Sequence, residues 1–332
     1  MIFHHLYAAV LVAALIGSAI ACASPDSDDQ RVLSPYEDAG DDVGNSFDVA
    51  TEDTDTNADT ADTGPPDAAL DADDDDAATD TGNGTDAAPS NGDHCQPVGD
   101  GIIRHDRVPV EIGTSAPYQF SLDVDIDTAG EEVAGSRVWD LSQSYADDFV
   151  EDVAFEALDD HWFGEEFPDA TYAAPLSAGD DDEYGIFEFT DDALLMVGVA
   201  SPDDGYYRTE LRYEPPVEIL SFPLEEGDSW STETRASGAY GGNHFHGHDE
   251  IYATEVDAAG ELSTPFGTFP VLRVNTWLEQ EVWMGGMVWV TSEFRTHTFV
   301  AECFGTVARI RSEEDDADEE FDRAAEVMRL SQ

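Results

Sequence analysis

The sequence predicts a mainly β domain over residues 95–332: an antiparallel meander, a sandwich or a partly closed barrel with few short helices. Three observations predict it. Apolar and polar residues alternate over segments of strand length, these segments follow one another across short turn signals, and helix-period patterns are scarce. All six tryptophans of the 332-residue chain fall in this part.

The elements follow in order. Over Tyr118–Ile126, Phe120, Leu122, Val124 and Ile126 share one face, with Asp123 and Asp125 on the other. Ser142–Leu158 is expected to be helical. Tyr184–Thr190 is a strand, and the uninterrupted apolar run Ala193–Ala200 suits a buried one. Ser201-Pro-Asp-Asp204 signals a turn into Gly205–Tyr213. Pro215-Pro216 breaks pairing before Val217–Phe222. Further strands are expected at Ser229–Ala236, Glu250–Val256, Phe269–Leu278, Met287–Val300 and Ala301–Arg311. Gly238 to Gly247 is rich in glycine and is expected as a hairpin loop. Glu319–Leu330 is expected as a closing helix or as a last strand.

The chain before this domain has a different character. Leu6 to Ala21 is apolar and uncharged over 16 residues. A membrane-spanning helix needs about 20, so the run fits the apolar region of an export signal over residues 1–21. Its end, Ser18-Ala-Ile-Ala-Cys22, resembles the lipobox of bacterial lipoproteins. That resemblance implies that Cys22 is acylated and becomes the mature N-terminus; an ordinary secretory signal is the other reading. Each buried acyl methylene contributes about 0.8 kcal/mol, so several chains anchor stably. Ala23 is not an acidic retention signal, which leans toward the outer membrane.

Residues 23–94 hold 22 acidic side chains, a single basic one (Arg31) and few large apolar groups. Ordering such a chain costs about 1–2 kcal/mol per residue with little burial to offset it. Residues 22–94 are therefore expected to form a disordered acidic linker, roughly 50 Å in root-mean-square span. Residues 95–332 carry 53 acids and 12 arginines, a net −41, and the whole chain has no lysine. Nucleic acid is excluded as a partner, since no basic face is available to meet phosphates. The expected membrane contact is the lipid anchor alone.

After Cys22 two cysteines remain, Cys95 and Cys303. Export places both outside the reducing cytoplasm, so a disulfide between them is expected, the alternative being two buried thiols.

Several blocks resemble a series in exported lipoproteins of Gram-negative environmental bacteria and in some cargo of the gliding-bacteria secretion system. These are Arg137-Val-Trp-Asp-Leu-Ser142, Phe167-Pro-Asp-Ala-Thr-Tyr172, Phe222-Pro-Leu-Glu-Glu-Gly227 with Trp230, Val256-Asp-Ala-Ala-Gly260, Thr264-Pro-Phe-Gly-Thr-Phe269 and Val271-Leu-Arg-Val274. The resemblance implies a shared β fold and no catalytic residue. Physically, the Phe222 block reads as a strand–turn–strand corner with Trp230 entering the core. The Thr264 block reads as a tight turn feeding a strand.

The candidate chemistry centres on His244-Phe-His246-Gly-His248-Asp249-Glu250. Imidazoles spaced by two share one side of an extended chain, and zinc takes neutral histidines with carboxylate support. His244, His246, His248 and Asp249 are the candidate ligands. The run is similar to the His-x-His-x-Asp-His of metallo-β-lactamase-like hydrolases, with its last two residues transposed. Gly227-Asp-Ser229 lacks the late Asp-x-x-His of an esterase and reads as a turn. Asp123, Asp125 and Asp127 have the alternation of a calcium loop but Thr128 where glycine is expected, so they read as a solvated strand face. Gly179-Asp-Asp-Asp-Glu183 reads as an acidic loop. Trp277, Trp283 and Trp289 with Met284 and Met287 suit core or a hairpin tip, or else a carbohydrate or lipid groove.

The combined expectation is an exported, lipid-anchored envelope protein, facing periplasm or cell surface. Its β domain is expected to be a non-enzymatic structural or binding module for an unidentified surface ligand, without a cofactor. The competing expectation is a metal-dependent hydrolase using the histidine cluster, with zinc or calcium as the metal. Imidazoles clustered beside a cleft favour the hydrolase; side chains splayed on a tip favour the module.

Overall fold

The computed structural model describes residues 95–176, 183–284, 287–316 and 318–332; the side chains of residues 244, 245 and 284 also lie outside the description. The leader, Cys22, the linker 22–94, most of the acidic loop at 179–183 and Gly285-Gly286 therefore fall outside it.

The domain begins with β1 (Ser115–Asp125), a small hairpin of β2 (Glu131–Val133) and β3 (Ser136–Asp140), and β4 (Phe149–Ala154). Then come β5 (Tyr172–Pro175), β6 (Tyr184–Phe189), β7 (Ala193–Ala200), β8 (Glu210–Ser221) and β9 (Ser229–Tyr240). The longest strands follow: β10 (Asn243–Ser263), β11 (Thr268–Met284) and β12 (Met287–Ala301), then β13 (Gly305–Ser312) and β14 (Arg323–Leu330). Helical structure among the described residues is limited to 3-10 turns at His105–Arg107, Leu158–Asp160 and Gly164–Glu166.

Twelve of these strands form one antiparallel sheet in the order β4-β1-β14-β13-β12-β11-β10-β9-β8-β7-β6-β5. From β5 to β14 it is a meander. β1 then pairs with the last strand, matching Tyr118 to Leu330 and Phe120 to Met328, and β4 adds outside β1. The two edges approach through one bridge, in which Glu156 N donates to Ala173 O (2.8 Å) and Ala173 N donates to Glu156 O (3.0 Å). The sheet thus curls into a nearly closed barrel, which protects both edges.

Apolar packing joins Tyr172 of β5 and Phe187 of β6 to Val274 of β11, Phe294 of β12 and Val256 of β10 in one cluster. Strands so far apart in the sheet meet only across its interior. Positions sharing a face with these residues therefore line the lumen. On the β11–β14 side the outer face is covered too: Trp139 on β3, Leu141 just after it, and Phe321 pack with Phe299, Ala308, Ile310 and Val327. Burial on both faces explains why β13 reads as an almost continuous buried strand. β3 runs parallel to β10 from Gly260 to Ser263. Gly260 permits it, because a Cβ there would stand 2.2 Å from Arg137 O. Elsewhere the outer face is charged, with Glu233, Arg235, Asp249, Glu255, Glu279 and Glu281 on β9–β11. No helix among the described residues is long and apolar enough to cross a membrane, and this charged face is unlike the apolar band of a lipid-facing barrel.

Two expectations are corrected. Ser142–Leu158 is not a helix; it is an irregular loop, then β4, then a short connection to the 3-10 turn at Leu158. The physical reason is Arg329, fully buried, which donates to Gln143 O (2.6 Å) and to Asp148 Oδ1 (2.5 Å) and so fixes the path of the loop against the sheet. Gly238–Gly247 is not a long loop: the turn is Gly241-Gly242, both at positive φ, between the paired Tyr240 and Asn243. Pro215-Pro216 breaks pairing as expected, since the β7 ladder skips from Arg212 to Val217 and pairing with β9 stops at Glu214, although β8 itself runs through it. Of the two forms expected for Glu319–Leu330, the structure has the strand.

Cys95 and Cys303 form the disulfide, with Cα atoms 5.5 Å apart. The segment after Cys95 is held beside it, since Val98 N and Gly99 N both donate to Glu302 Oε2 (2.8 and 2.9 Å).

Candidate functional site

Strand alternation on β10 sends His246, His248, Glu250 and Tyr252 to the face that carries Val256, and hence into the lumen. The result is a continuous polar chain. His246 Nε2 faces His248 Nδ1 at 3.1 Å, and His248 Nε2 faces Glu250 Oε1 at 2.8 Å. Tyr252 Oη donates to Glu250 Oε2 (2.6 Å), and Gln280 Nε2 on β11 donates to Glu250 Oε1 (2.9 Å). Tyr213 of β8 bonds to both Tyr252 and Glu250. His248 is fully buried and Glu250 is 2 % exposed, so each polar atom here needs a protein partner. His246 is half-buried, with the Tyr240 ring 5.2 Å from its own.

The electrostatics follow from burial and from these partners. Burial alone raises the Glu250 carboxyl, yet the donors His248, Tyr252 and Gln280 outweigh it and hold the group below its usual value. Burial, and then the neighbouring His248, push His246 down to about 4. Tyr213 and Tyr252 are raised well above the ordinary phenol, by burial first and Glu250 second. Glu183, just before β6, is pushed up to about 7 by burial, against a hydrogen bond from Thr209.

The structure brings His246 and His248 together and turns Asp249 away. Asp249 lies one residue off their register, on the outer face, where Arg235 Nη1 donates to its Oδ1 at 2.7 Å. The position of the His244 side chain falls outside the description. Among the described residues no three His, Cys, Asp or Glu side chains converge on one point. The carboxylate that serves the histidines is Glu250. It and Tyr252 continue the two-residue spacing of the histidines, a signal present in the sequence; Tyr213 and Gln280, on other strands, had none.

Two concavities accompany this chain. One, of about 170 Å³, opens at the seam where the barrel edges meet, lined by Val108, Val110, Tyr118, Phe155, Leu220 and Met328 among others. The other is a groove of about 580 Å³ on the outer face, bordered by Ser231, Glu255, Asn275, Trp277 and Arg295. There Arg295 Nη1 donates to Asn275 Oδ1 at 3.2 Å. Trp283 and Trp289 stand exposed near the β11–β12 turn, apart from that groove. Ser229 is exposed beside a turn in which Glu225 N donates to Asp228 Oδ2 (2.8 Å). Asp123, Asp125 and Asp127 are exposed while Val124 and Ile126 are buried, a solvated strand face.

Fold and site define a class: a nearly closed antiparallel barrel with a polar chain inside and an apolar cavity at its seam. Comparison with protein-family models, curated proteins and solved structures gave no match.

Proposed function

We propose that this chain is a lipid-anchored protein of the bacterial envelope whose barrel is a non-enzymatic binding module. Acyl chains on Cys22 hold it at the outer membrane, and residues 22–94 are a stalk that sets the barrel off from the lipid. The leader ending in Ala21-Cys22 and the acidic composition of the linker support this arrangement.

The observation that carries the binding reading is the seam cavity of about 170 Å³ between the barrel edges, with its apolar lining. A protein cavity of about 150 Å³ accepts benzene, so a single ring or a short acyl chain is the matching guest. The test is saturation-transfer NMR of the acylated, tag-free protein with toluene and with hexan-1-ol. Saturable transfer in the parent protein, reduced in Leu220→Trp, is the expected result. The binding reading fails if neither probe shows saturable transfer. Labelled palmitate incorporated in the parent protein and absent from Cys22→Ser tests the anchor separately.

A further inference from the structure

We propose that His246 Nε2 and His248 Nδ1 bind a zinc ion inside the barrel, with Glu250 as the carboxylate that orients His248. The proposal is independent of the seam cavity and of the lipid anchor.

The first ground is convergence. The two nitrogens point at each other across 3.1 Å. Tetrahedral zinc with Zn–N bonds of 2.0–2.1 Å places two imidazole nitrogens about 3.3 Å apart. Seating an ion there widens this gap by a few tenths of an ångström and turns each ring so that its lone pair leaves the line joining the two nitrogens.

The second ground is the support behind the pair. Glu250 Oε1 lies 2.8 Å from His248 Nε2 and takes its N–H, which leaves Nδ1 with its lone pair directed at His246. This is the arrangement by which a carboxylate fixes the tautomer of a metal-bound histidine and increases its basicity. Glu250 is in turn clamped by Tyr252 and Gln280, at 2.6 and 2.9 Å. A network of this kind, buried at a desolvation cost, fixes the direction of one imidazole nitrogen.

The third ground is access and charge. His246 is half-buried near the β9–β10 turn, which leaves an approach from that end. Glu250 supplies a negative charge to offset the cation in the barrel interior. Among the described residues these two nitrogens are the donors that meet.

The test uses the full, tag-free chain in millimolar magnesium and calcium, which occupy the carboxylates of the acidic linker. Zinc is titrated against a chromophoric chelator. The expected result is one tightly held zinc per chain, and a cobalt-substituted form with a visible absorption band. Glu250→Gln weakens zinc by 10–100-fold, as loss of such a carboxylate does. His246→Ala, at a half-buried position, and His248→Ala each abolish the tight site, while Asp249→Ala leaves it intact. Thermal melting with the disulfide formed verifies that each variant is folded. Metal that dialysis strips from the parent protein overturns the proposal, as does tight zinc that survives His246→Ala.

Discussion

Arg273 and Asp257 form a two-pronged ion pair across a bulge: Arg273 Nε donates to Asp257 Oδ1 at 2.9 Å and Nη2 to Oδ2 at 2.7 Å. The bulge lies where the β10–β11 register jumps from Val256 to Ala258, and Asp257 is its extra residue. Glu320 takes a second pair of bonds from the same guanidinium, at 3.1 and 2.7 Å, and the Trp139 ring lies 5.5 Å away. This buried cation joins the barrel wall to the segments that cover it, and it accounts for two of the sequence blocks, Val256–Gly260 and Val271–Val274.

Asp257→Asn should therefore destabilise the domain. Stranding a buried charge costs about 3–5 kcal/mol, and Glu320 remains as a partner, so the low end applies. Denaturant unfolding measures it. A loss below about 0.5 kcal/mol, the usual range for surface changes, would mean that Glu320 alone satisfies Arg273.

The Cys95–Cys303 bond closes a loop with a sequence separation of 208. In the chain-entropy account this contributes up to about 5 kcal/mol. Reduction under mild conditions should lower the melting temperature, and Cys95→Ser/Cys303→Ser should reproduce the reduced value. Equal melting of oxidised and reduced protein would refute a stabilising role.

His246 makes stability depend on acid. Its native pKa, about 4, lies below the 6.5 of the free side chain. Between these values the unfolded chain binds a proton that the native state refuses, so stability is full above 6.5 and is lost as pH falls toward 4. In the presence of chelator, His246→Gln should show a flatter decline in melting temperature over that window. Parallel curves for the two proteins would remove His246 from the account.

Glu183 acts in the opposite sense. Its native value of about 7 exceeds the ordinary 4.5. Here the native state keeps a proton that the unfolded chain releases, so its contribution worsens as pH rises from about 4.5 to 7 and is constant beyond. Glu183→Gln should melt higher than the parent protein at pH 8 and no differently at pH 4. A variant that melts lower at both pH values would show that the carboxyl is stabilising.

Some elements were legible because their residues obey the period of a half-buried or buried strand. β1 shows alternation, and β7, Ala193–Ala200, is bounded by the residues expected for it. The start of β10 was not legible. Reading strands from hydrophobic periodicity assumes an apolar interior, whereas the lumen here takes His246, His248 and Glu250. Their burial is tolerable only because Tyr213, Tyr252 and Gln280 satisfy them, and β8 and β11 are distant in sequence. The expected helix at Ser142–Leu158 misled for a related reason. What fixes its path is Arg329, which reaches it from the far end of the domain.

By itself the sequence determined that residues 95–332 are mainly β, and it made the Cys95–Cys303 bond an expectation beside the alternative of two buried thiols. Alternation, turn residues and composition are local properties, whereas the structure brings Cys95 and Cys303 together. Tertiary structure alone decided that the sheet closes into a barrel rather than a sandwich, because closure depends on β1 finding β14 and on β4 meeting β5. It also decided which acid serves the histidines. Asp249 and Glu250 are neighbours in the chain, and only the direction in which the barrel curls places one in the lumen and the other outside.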